Sequence, residues 1–246
     1  ALIKELQATR EMTILLITHD LGVAAQFADE IGVMYAGHLV EKATSQDFFE
    51  HPKHPYSQLF AKALPSLEKK GHQLQVIEGF VPQLDKAFEG CRFRDRCPQA
   101  KEICAKESPN WRLYNETHFS RCHFNEQLES DDIKVDDIDA SDSAINVLEA
   151  MDLKVHFPIK KGILKRTVGY VKAVDGVDFG LQEGKTLAIV GESGCGKTTV
   201  AKSLLSLIPI TEGDVNYHGI SISARNRQEK RQLKQDMQIV FQDPFS

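Results

Sequence analysis

No apolar run in the 246-residue chain approaches the ~20 residues that a helix needs to cross a bilayer. A cationic excess is also missing, because the formal net charge is −5, and this argues against a nucleic-acid partner. The chain is 41% hydrophobic and 26% charged, which is typical of one large or two small globular domains. We therefore predict a cytosolic protein that meets a membrane only through partner proteins.

Cysteines are few and lack the paired C-x-x-C spacing of zinc ribbons. Four of the five lie together, with five, six and 17 residues between them: Cys91, Cys97, Cys104 and Cys122. In a reducing compartment this cluster favours a metal centre over disulfides, either tetrahedral zinc or a [4Fe–4S] cluster. Four cysteines that merely pack are the alternative. His118 and His123 are reserve ligands, and the run Arg92, Arg94, Arg96 predicts a solvated face.

The fifth cysteine lies in a glycine-rich stretch between a predicted strand, Thr186 to Val190, and a helical run from Thr198 to Ile208. Glycines allow successive backbone N–H groups to surround a polyphosphate at the positive end of a helix. Lys197 can then reach the β- and γ-phosphates, and the Thr198 hydroxyl can ligate Mg²⁺. The pattern predicts a nucleotide-binding phosphate loop of nine residues: Gly191, Glu192, Ser193, Gly194, Cys195, Gly196, Lys197, Thr198 and Thr199.

A second apolar run, from Thr13 to Thr18, predicts a buried parallel strand that ends at His19-Asp20. Ligands bind at this edge of open α/β sheets, so His19 is a site candidate, although a structural hydrogen bond is the commoner role of such a residue. Asp20 is not the Mg²⁺-holding acid of phosphate-loop enzymes, because it precedes the loop. A hairpin turning at Ala36-Gly37 follows, and then a helix from Thr44 to Glu50 with the spacing of a capping box.

These stretches resemble a known family. Residues 17–21 (ITHDL) and 28–41 (ADEIGVMYAGHLVE) are similar to the switch-histidine strand and the following hairpin of ABC-transporter ATPase domains. The resemblance implies that His19 contacts the γ-phosphate and helps to position the attacking water. Residues 51–65 (HPKHPYSQLFAKALP) resemble the extension of oligopeptide and dipeptide importers, and the pattern from Cys91 to Cys104 resembles their C-terminal region. For the cysteines this implies a structural [4Fe–4S] cluster in preference to zinc.

The same resemblance assigns further residues of the nucleotide site. An aromatic ring at the end of the strand from Ile145 to Phe157 stacks on adenine in this family, and Phe157 matches its place, with Tyr170 as the alternative. Gln242, after a predicted strand from Gln238 to Phe241, resembles the Q-loop glutamine. That residue ligates Mg²⁺ and reports the γ-phosphate to a mobile lid. The implied cofactors are ATP and Mg²⁺.

The predicted fold class is α/β, made of partial P-loop NTPase domains with a parallel sheet core and an antiparallel β subdomain. We expect the end of a first ATPase domain in residues 1–45 and a cysteine-containing extension in 46–126. An acidic linker in 127–144 and the first half of a second ATPase domain in 145–246 follow. The chain looks like a piece of a tandem protein, because the signature motif, the strand ending in the catalytic Asp-Glu and the D-loop are missing from it.

The resemblance implies an ATPase that energises peptide import from the cytoplasmic face of the inner membrane. Its partners would be transmembrane permease subunits, a second ATPase domain and, indirectly, a solute-binding protein. The fragment by itself is expected to bind nucleotide weakly at best. Two alternatives are an ABC ATPase without a permease and a metal-binding module with vestigial ATPase parts.

Overall fold

The computed structural model describes residues 2–63, 77–86, 88–124, 146–162 and 165–240. Within these ranges, ten strands form two sheets. The helices are α1 (Leu2–Arg10), α2 (Leu21–Phe27), α3 (Ser45–Glu50), α4 (Pro55–Lys62), α5 (Ile103–Lys106), α6 (Lys197–Leu204) and α7 (Arg227–Asp236). The strands are β1 (Ile14–Thr18), β2 (Glu30–Tyr35), β3 (His38–Thr44), β4 (Arg112–Asn115), β5 (His118–Ser120), β6 (Asn146–Lys161), β7 (Arg166–Gln182), β8 (Thr186–Val190), β9 (Glu212–Tyr217) and β10 (Ile220–Ser221).

The larger sheet has the order β1-β8-β2-β3-β5-β4. Strands β1, β8 and β2 are parallel, and the remaining pairs in this sheet are antiparallel. The smaller sheet, β10-β9-β6-β7, is entirely antiparallel. The predicted α/β class is confirmed, including its parallel core and its antiparallel subdomain.

Strand β8 lies at the junction of two hydrophobic cores. Leu187 and Ile189 face the core shared with α6 and the antiparallel sheet, whereas Ala188 and Val190 face the core shared with α2, α3 and α4. All five residues of β8 are buried, as the continuous apolar run from Thr186 predicts for an inner parallel strand. Since β1 and β2 flank it, the first and last segments of the chain contribute to one sheet. The assignment of these segments to two successive ATPase domains remains a prediction.

Several predicted elements differ from the structure in detail. The helix after the phosphate loop ends at Leu204 and not at Ile208, and residues 238–240 form no strand. The predicted capping box is half formed. The Thr44 hydroxyl accepts the Asp47 N–H, as expected. The Asp47 carboxylate, however, accepts a hydrogen bond from the Thr44 hydroxyl and not from the Thr44 N–H. Phe241 and Gln242 lie outside the described residues.

A buried carboxylate organises the start of α4. Glu41 on β3 is fully buried, and its two oxygens accept the backbone N–H groups of Lys53 and His54, each at 2.7 Å. The His118 ring lies 2.7 Å from the same carboxylate. His54 then caps the helix, because its Nδ1 accepts the Tyr56 N–H, and Pro55 occupies the first helical position. The HPKHPY stretch thus serves as a helix start anchored to the sheet.

Burial lowers the pKa of His54 to about 4, against an ordinary value of 6.5. The protonated ring therefore favours the unfolded chain, and stability is lost as the pH falls from about 6.5 towards 4. His54→Asn keeps a capping oxygen but removes this titration. Between pH 7 and pH 4.5 we expect the free energy of unfolding of the unmodified chain to fall by about 2 kcal/mol more than that of the variant.

Urea unfolding at the two pH values measures this difference. His38 serves as an internal reference, because burial also lowers its pKa and it is present in both chains. Equal losses of stability in the two chains would contradict the assignment.

Candidate functional site

The phosphate loop begins where β8 ends, at the edge of the parallel sheet. The carbonyl of Cys195 accepts the N–H of Gly37, at the turn of the β2–β3 hairpin, at 2.9 Å. A Cβ added to Gly191 would lie 2.2 Å from the Met34 carbonyl oxygen on β2. The backbone of the hairpin therefore forms one wall of the loop, and it approaches too closely for any side chain at Gly191.

Strand β7 of the antiparallel sheet also contacts the loop. A Cβ added to Gly196 would lie 2.2 Å from the carbonyl oxygen of Ala173 on β7. Gly196 also caps α6 with a φ of +109°, in the region that favours glycine. Helix α6 begins at Lys197, and its positive N-terminal end therefore points at the space that the loop encloses.

Lys197 lies across the loop and is nearly buried. Its Nζ donates to the carbonyls of Gly191 and Glu192, both at 2.8 Å, and lies 3.5 Å from the Cys195 sulfur. Burial raises the pKa of the Cys195 thiol even though the Lys197 cation opposes the shift. Ser193, Gly194 and Thr198 are exposed to solvent.

His19 emerges at the same edge as the loop. The last residue pair of the parallel β1–β8 ladder is Thr18 with Val190, so His19 and Gly191 both follow directly after it. His19 is exposed. Asp20 has a structural role, because its Oδ1 accepts the N–H groups of Gly22 and Val23 at the start of α2. This agrees with its exclusion as a Mg²⁺ ligand on grounds of chain order.

Phe157 lies on the antiparallel sheet and is 40% exposed. It pairs with Val171, two residues before the Ala173 carbonyl that approaches Gly196. The backbone position that pairs with Phe157 is thus two residues, or roughly 7 Å along β7, from the carbonyl that approaches Gly196. Tyr170 pairs with Pro158 one position further out and is also exposed.

The cysteine cluster forms a second candidate site. Cys91, Cys97, Cys104 and Cys122 have free thiols and line one small cavity together with His54 and His123. Burial, together with the three neighbouring thiols, raises the pKa of Cys91 to about 11. The donor chemistry suits a thiolate-bound centre. Within the described ranges, however, no three His, Cys, Asp or Glu side chains are arranged to hold a metal ion.

Two sequence predictions near this cluster are wrong. His118 is not a reserve ligand, because its buried ring is bound to Glu41. The arginines do not form a solvated face: the side chains of Arg92 and Arg96 are only 8% and 5% exposed. Arg92 pairs with Asp175 on β7, and Arg96 pairs with Glu192 in the phosphate loop. The spacing of four residues from Arg92 to Arg96 could have indicated their burial on one side of the chain, since the side chain of Arg94 between them is more exposed than either.

Comparisons with known proteins match part of each site. Residues 40–104 match the family model described as the oligopeptide/dipeptide transporter C-terminal region, and residues 174–246 match the ABC transporter model. Within the part of the chain that the structure describes, no helix has the length and apolarity needed to cross a membrane.

Similar proteins are longer than this chain. The oligopeptide transport ATP-binding protein OppD of Mycobacterium tuberculosis is 35% identical over 98% of the chain, which covers 41% of OppD. The glutathione import ATP-binding proteins GsiA of Pectobacterium atrosepticum and Escherichia coli are each 32% identical over the whole chain, which covers 33% of each of them. The chain thus spans less than half the length of these relatives.

The geometry of Gly196 predicts an asymmetry between two glycines of the loop. Gly194→Ala places a Cβ in open space and costs only the strain of a φ of +81°, about 1 kcal/mol. Gly196→Ala adds a collision with the Ala173 carbonyl, so we expect a loss of stability of about 3 kcal/mol or more. Thermal unfolding of the two variants measures the difference, and equal losses would show that the approach of β7 does not constrain the loop.

Proposed function

We propose that the chain belongs to the ABC transporter family, in its oligopeptide/dipeptide type, and that it is part of an ATP-binding subunit that energises peptide import. The observation that carries the proposal is the phosphate loop, which connects the end of the inner parallel strand β8 to the start of helix α6. OppD and GsiA are named for the transport of oligopeptides and of glutathione, both of which are peptides.

In this proposal each loop residue has a defined task. Backbone donors around the exposed residues Ser193 and Gly194 and the end of α6 bind the phosphates of ATP. Lys197 leaves the carbonyls of Gly191 and Glu192 to reach the β- and γ-phosphates. The Thr198 hydroxyl holds Mg²⁺, which supplies positive charge to the phosphates when bound. Gln242 is a further Mg²⁺ ligand by resemblance only, since it lies outside the described residues.

Hydrolysis requires a group that positions water at the γ-phosphate. We assign this role to His19, which is exposed and directly follows β1. In the two-domain protein proposed below, His19 belongs to the first domain and therefore acts at that domain's own nucleotide site. Phe157 supports adenine stacking through its exposed ring on the strand that pairs with β7. Hydrolysis would drive a conformational change in permease subunits. Contact with these subunits requires the protein to lie peripherally on the cytoplasmic face of a membrane.

We further propose that the complete protein carries two ATPase domains, the first ending in residues 1–45 and the second beginning in 145–246. The order of motifs supports this, because the histidine strand precedes the phosphate loop along the chain. The greater length of OppD and GsiA also supports it. The sequence of the complete protein on either side of residues 1 and 246 tests this proposal directly. A complete protein with only one ATPase domain would contradict it.

Titration with a fluorescent ATP analogue and Mg²⁺ tests the nucleotide site in the 246-residue chain. Lys197→Ala removes the charged donor to the phosphates, so we expect a loss of affinity of roughly 10- to 100-fold. Phe157→Ala is expected to weaken binding roughly tenfold through lost stacking, whereas Tyr170→Ala leaves the affinity unchanged. The reverse order of the two aromatic variants would assign the adenine contact to Tyr170.

The peptide substrate is tested with the same variant in the whole transporter. Lys197→Ala should reduce the uptake of labelled peptides while the uptake of a labelled amino acid continues. Unchanged peptide uptake would remove the assignment to peptide import. Co-purification with membrane subunits separates a transporter subunit from an ABC ATPase that works without a permease.

We also propose that the four clustered cysteines bind a thiolate-ligated centre, a [4Fe–4S] cluster in preference to zinc. Their common cavity and the raised pKa of Cys91, to which the neighbouring thiols contribute, support close thiols, and binding would require these thiols to deprotonate. The present arrangement would have to contract around the centre, because among the described residues no set of three such ligands is in position to hold a metal ion.

Anaerobic purification followed by metal analysis and visible spectroscopy tests this centre. We expect a brown protein that contains iron and sulfide, and loss of both in the Cys104→Ser variant. Cys195→Ser is the matched control for metal content, because Cys195 lies in the phosphate loop, away from the cluster. A colourless protein with stoichiometric zinc would replace the cluster by zinc, and a metal-free protein would leave four packed cysteines.

A further inference from the structure

The buried arginine Arg96 joins the cysteine-rich region to the phosphate loop. It ends the 3-10 turn Arg94–Arg96, directly before Cys97. Its Nη1 and Nη2 atoms lie 2.7 and 3.0 Å from the two carboxylate oxygens of Glu192, which is a bidentate ion pair. Glu192 is the second residue of the loop, so a residue some 96 positions away in the chain determines where its side chain lies.

The guanidinium group is saturated by further partners. Its Nε donates to the Glu78 carbonyl at 2.9 Å, Nη2 also donates to the Ile77 carbonyl at 3.2 Å, and Nη1 also approaches the Tyr35 hydroxyl at 3.4 Å. All five N–H groups therefore have an acceptor. A guanidinium held in this way has little freedom to move, and Glu192 is bound to a fixed charge.

The backbone of Glu192 is held as well as its side chain. Its N–H donates to the Tyr56 hydroxyl at 2.9 Å, and the Tyr56 ring packs among Tyr35, Phe60 and Phe93. Its carbonyl accepts from Lys197. Glu192 thus links the extension that contains α4 and the cysteines to the lysine of the phosphate loop.

The ion pair between Arg96 and Glu192 affects the charge that an anionic ligand meets at the loop. The Glu192 carboxylate is 28% exposed and lies within a loop whose geometry suits a polyphosphate. An unpaired carboxylate there would repel the ligand, and the fixed guanidinium offsets its charge.

We propose that Arg96 is a positioning residue of the nucleotide site. It neutralises Glu192 and, with Tyr56, holds the loop in the conformation that binds phosphate. This role rests on the proposed nucleotide-binding function and deepens it, because it makes the affinity of the loop dependent on the packing of the cysteine-rich region.

Titration of the 246-residue chain with a fluorescent ATP analogue and Mg²⁺ tests the role. Arg96→Ala should weaken binding roughly tenfold, since it leaves Glu192 unpaired and the loop less ordered. Glu192→Gln should bind at least as tightly as the unmodified chain, and Arg96→Ala combined with Glu192→Gln should recover a large part of the loss. Lys106→Ala, which breaks an exposed ion pair with Glu102, is the matched control and should bind like the unmodified chain.

The double variant separates positioning from a merely structural role. If Arg96 only supported folding, removal of the Glu192 charge would not restore affinity, and that result would overturn the proposal. Equal binding by the unmodified and Arg96→Ala chains would overturn it too. If the unmodified chain binds no nucleotide, the proposed function itself fails. Thermal unfolding of each variant identifies any that does not fold, and Glu192→Gln alone then still tests the sign of the charge effect.

Discussion

The burial of β8 on both faces is the constraint on which the rest of the structure depends. Its side chains alternate between two hydrophobic cores, so its backbone must be paired on both edges within the protein. Strands β1 and β2 provide that pairing, although they lie more than 150 residues earlier in the chain. The two distant segments are thereby brought into one sheet, and the end of β8 presents the phosphate loop at its edge.

The loop itself is shaped by neighbours from three parts of the chain. The backbone carbonyl of Met34 lies close to Gly191, and that of Ala173 lies close to Gly196. Tyr56 and Arg96 both bind Glu192. These contacts come from the protein itself and restrict the conformations that the backbone of the loop can adopt. The extension and the cysteine-rich region are therefore part of the support of the site and not an appendage to it.

Local patterns predicted the elements that depend on neighbouring residues. The strand from Thr186 to Val190, the hairpin turning at Ala36-Gly37 and the long antiparallel pair β6–β7 all follow from apolar periodicity and turn chemistry. Polar residues were predicted less well. Arg96 and His118 belong to residue types that usually face solvent or bind ligands, and their burial depends on carboxylates 96 and 77 positions away.

The sequence by itself determined the fold class, the phosphate loop and the family resemblance, because each depends on residue types at short, regular spacings. Only the tertiary structure decided that β1 lies beside β8, that Glu41 anchors the start of α4, and that Arg96 pairs with Glu192. A buried charge is tolerated only where an opposite charge or a donor meets it. Which residue becomes that partner depends on packing in three dimensions, and no periodic pattern in the sequence indicates it.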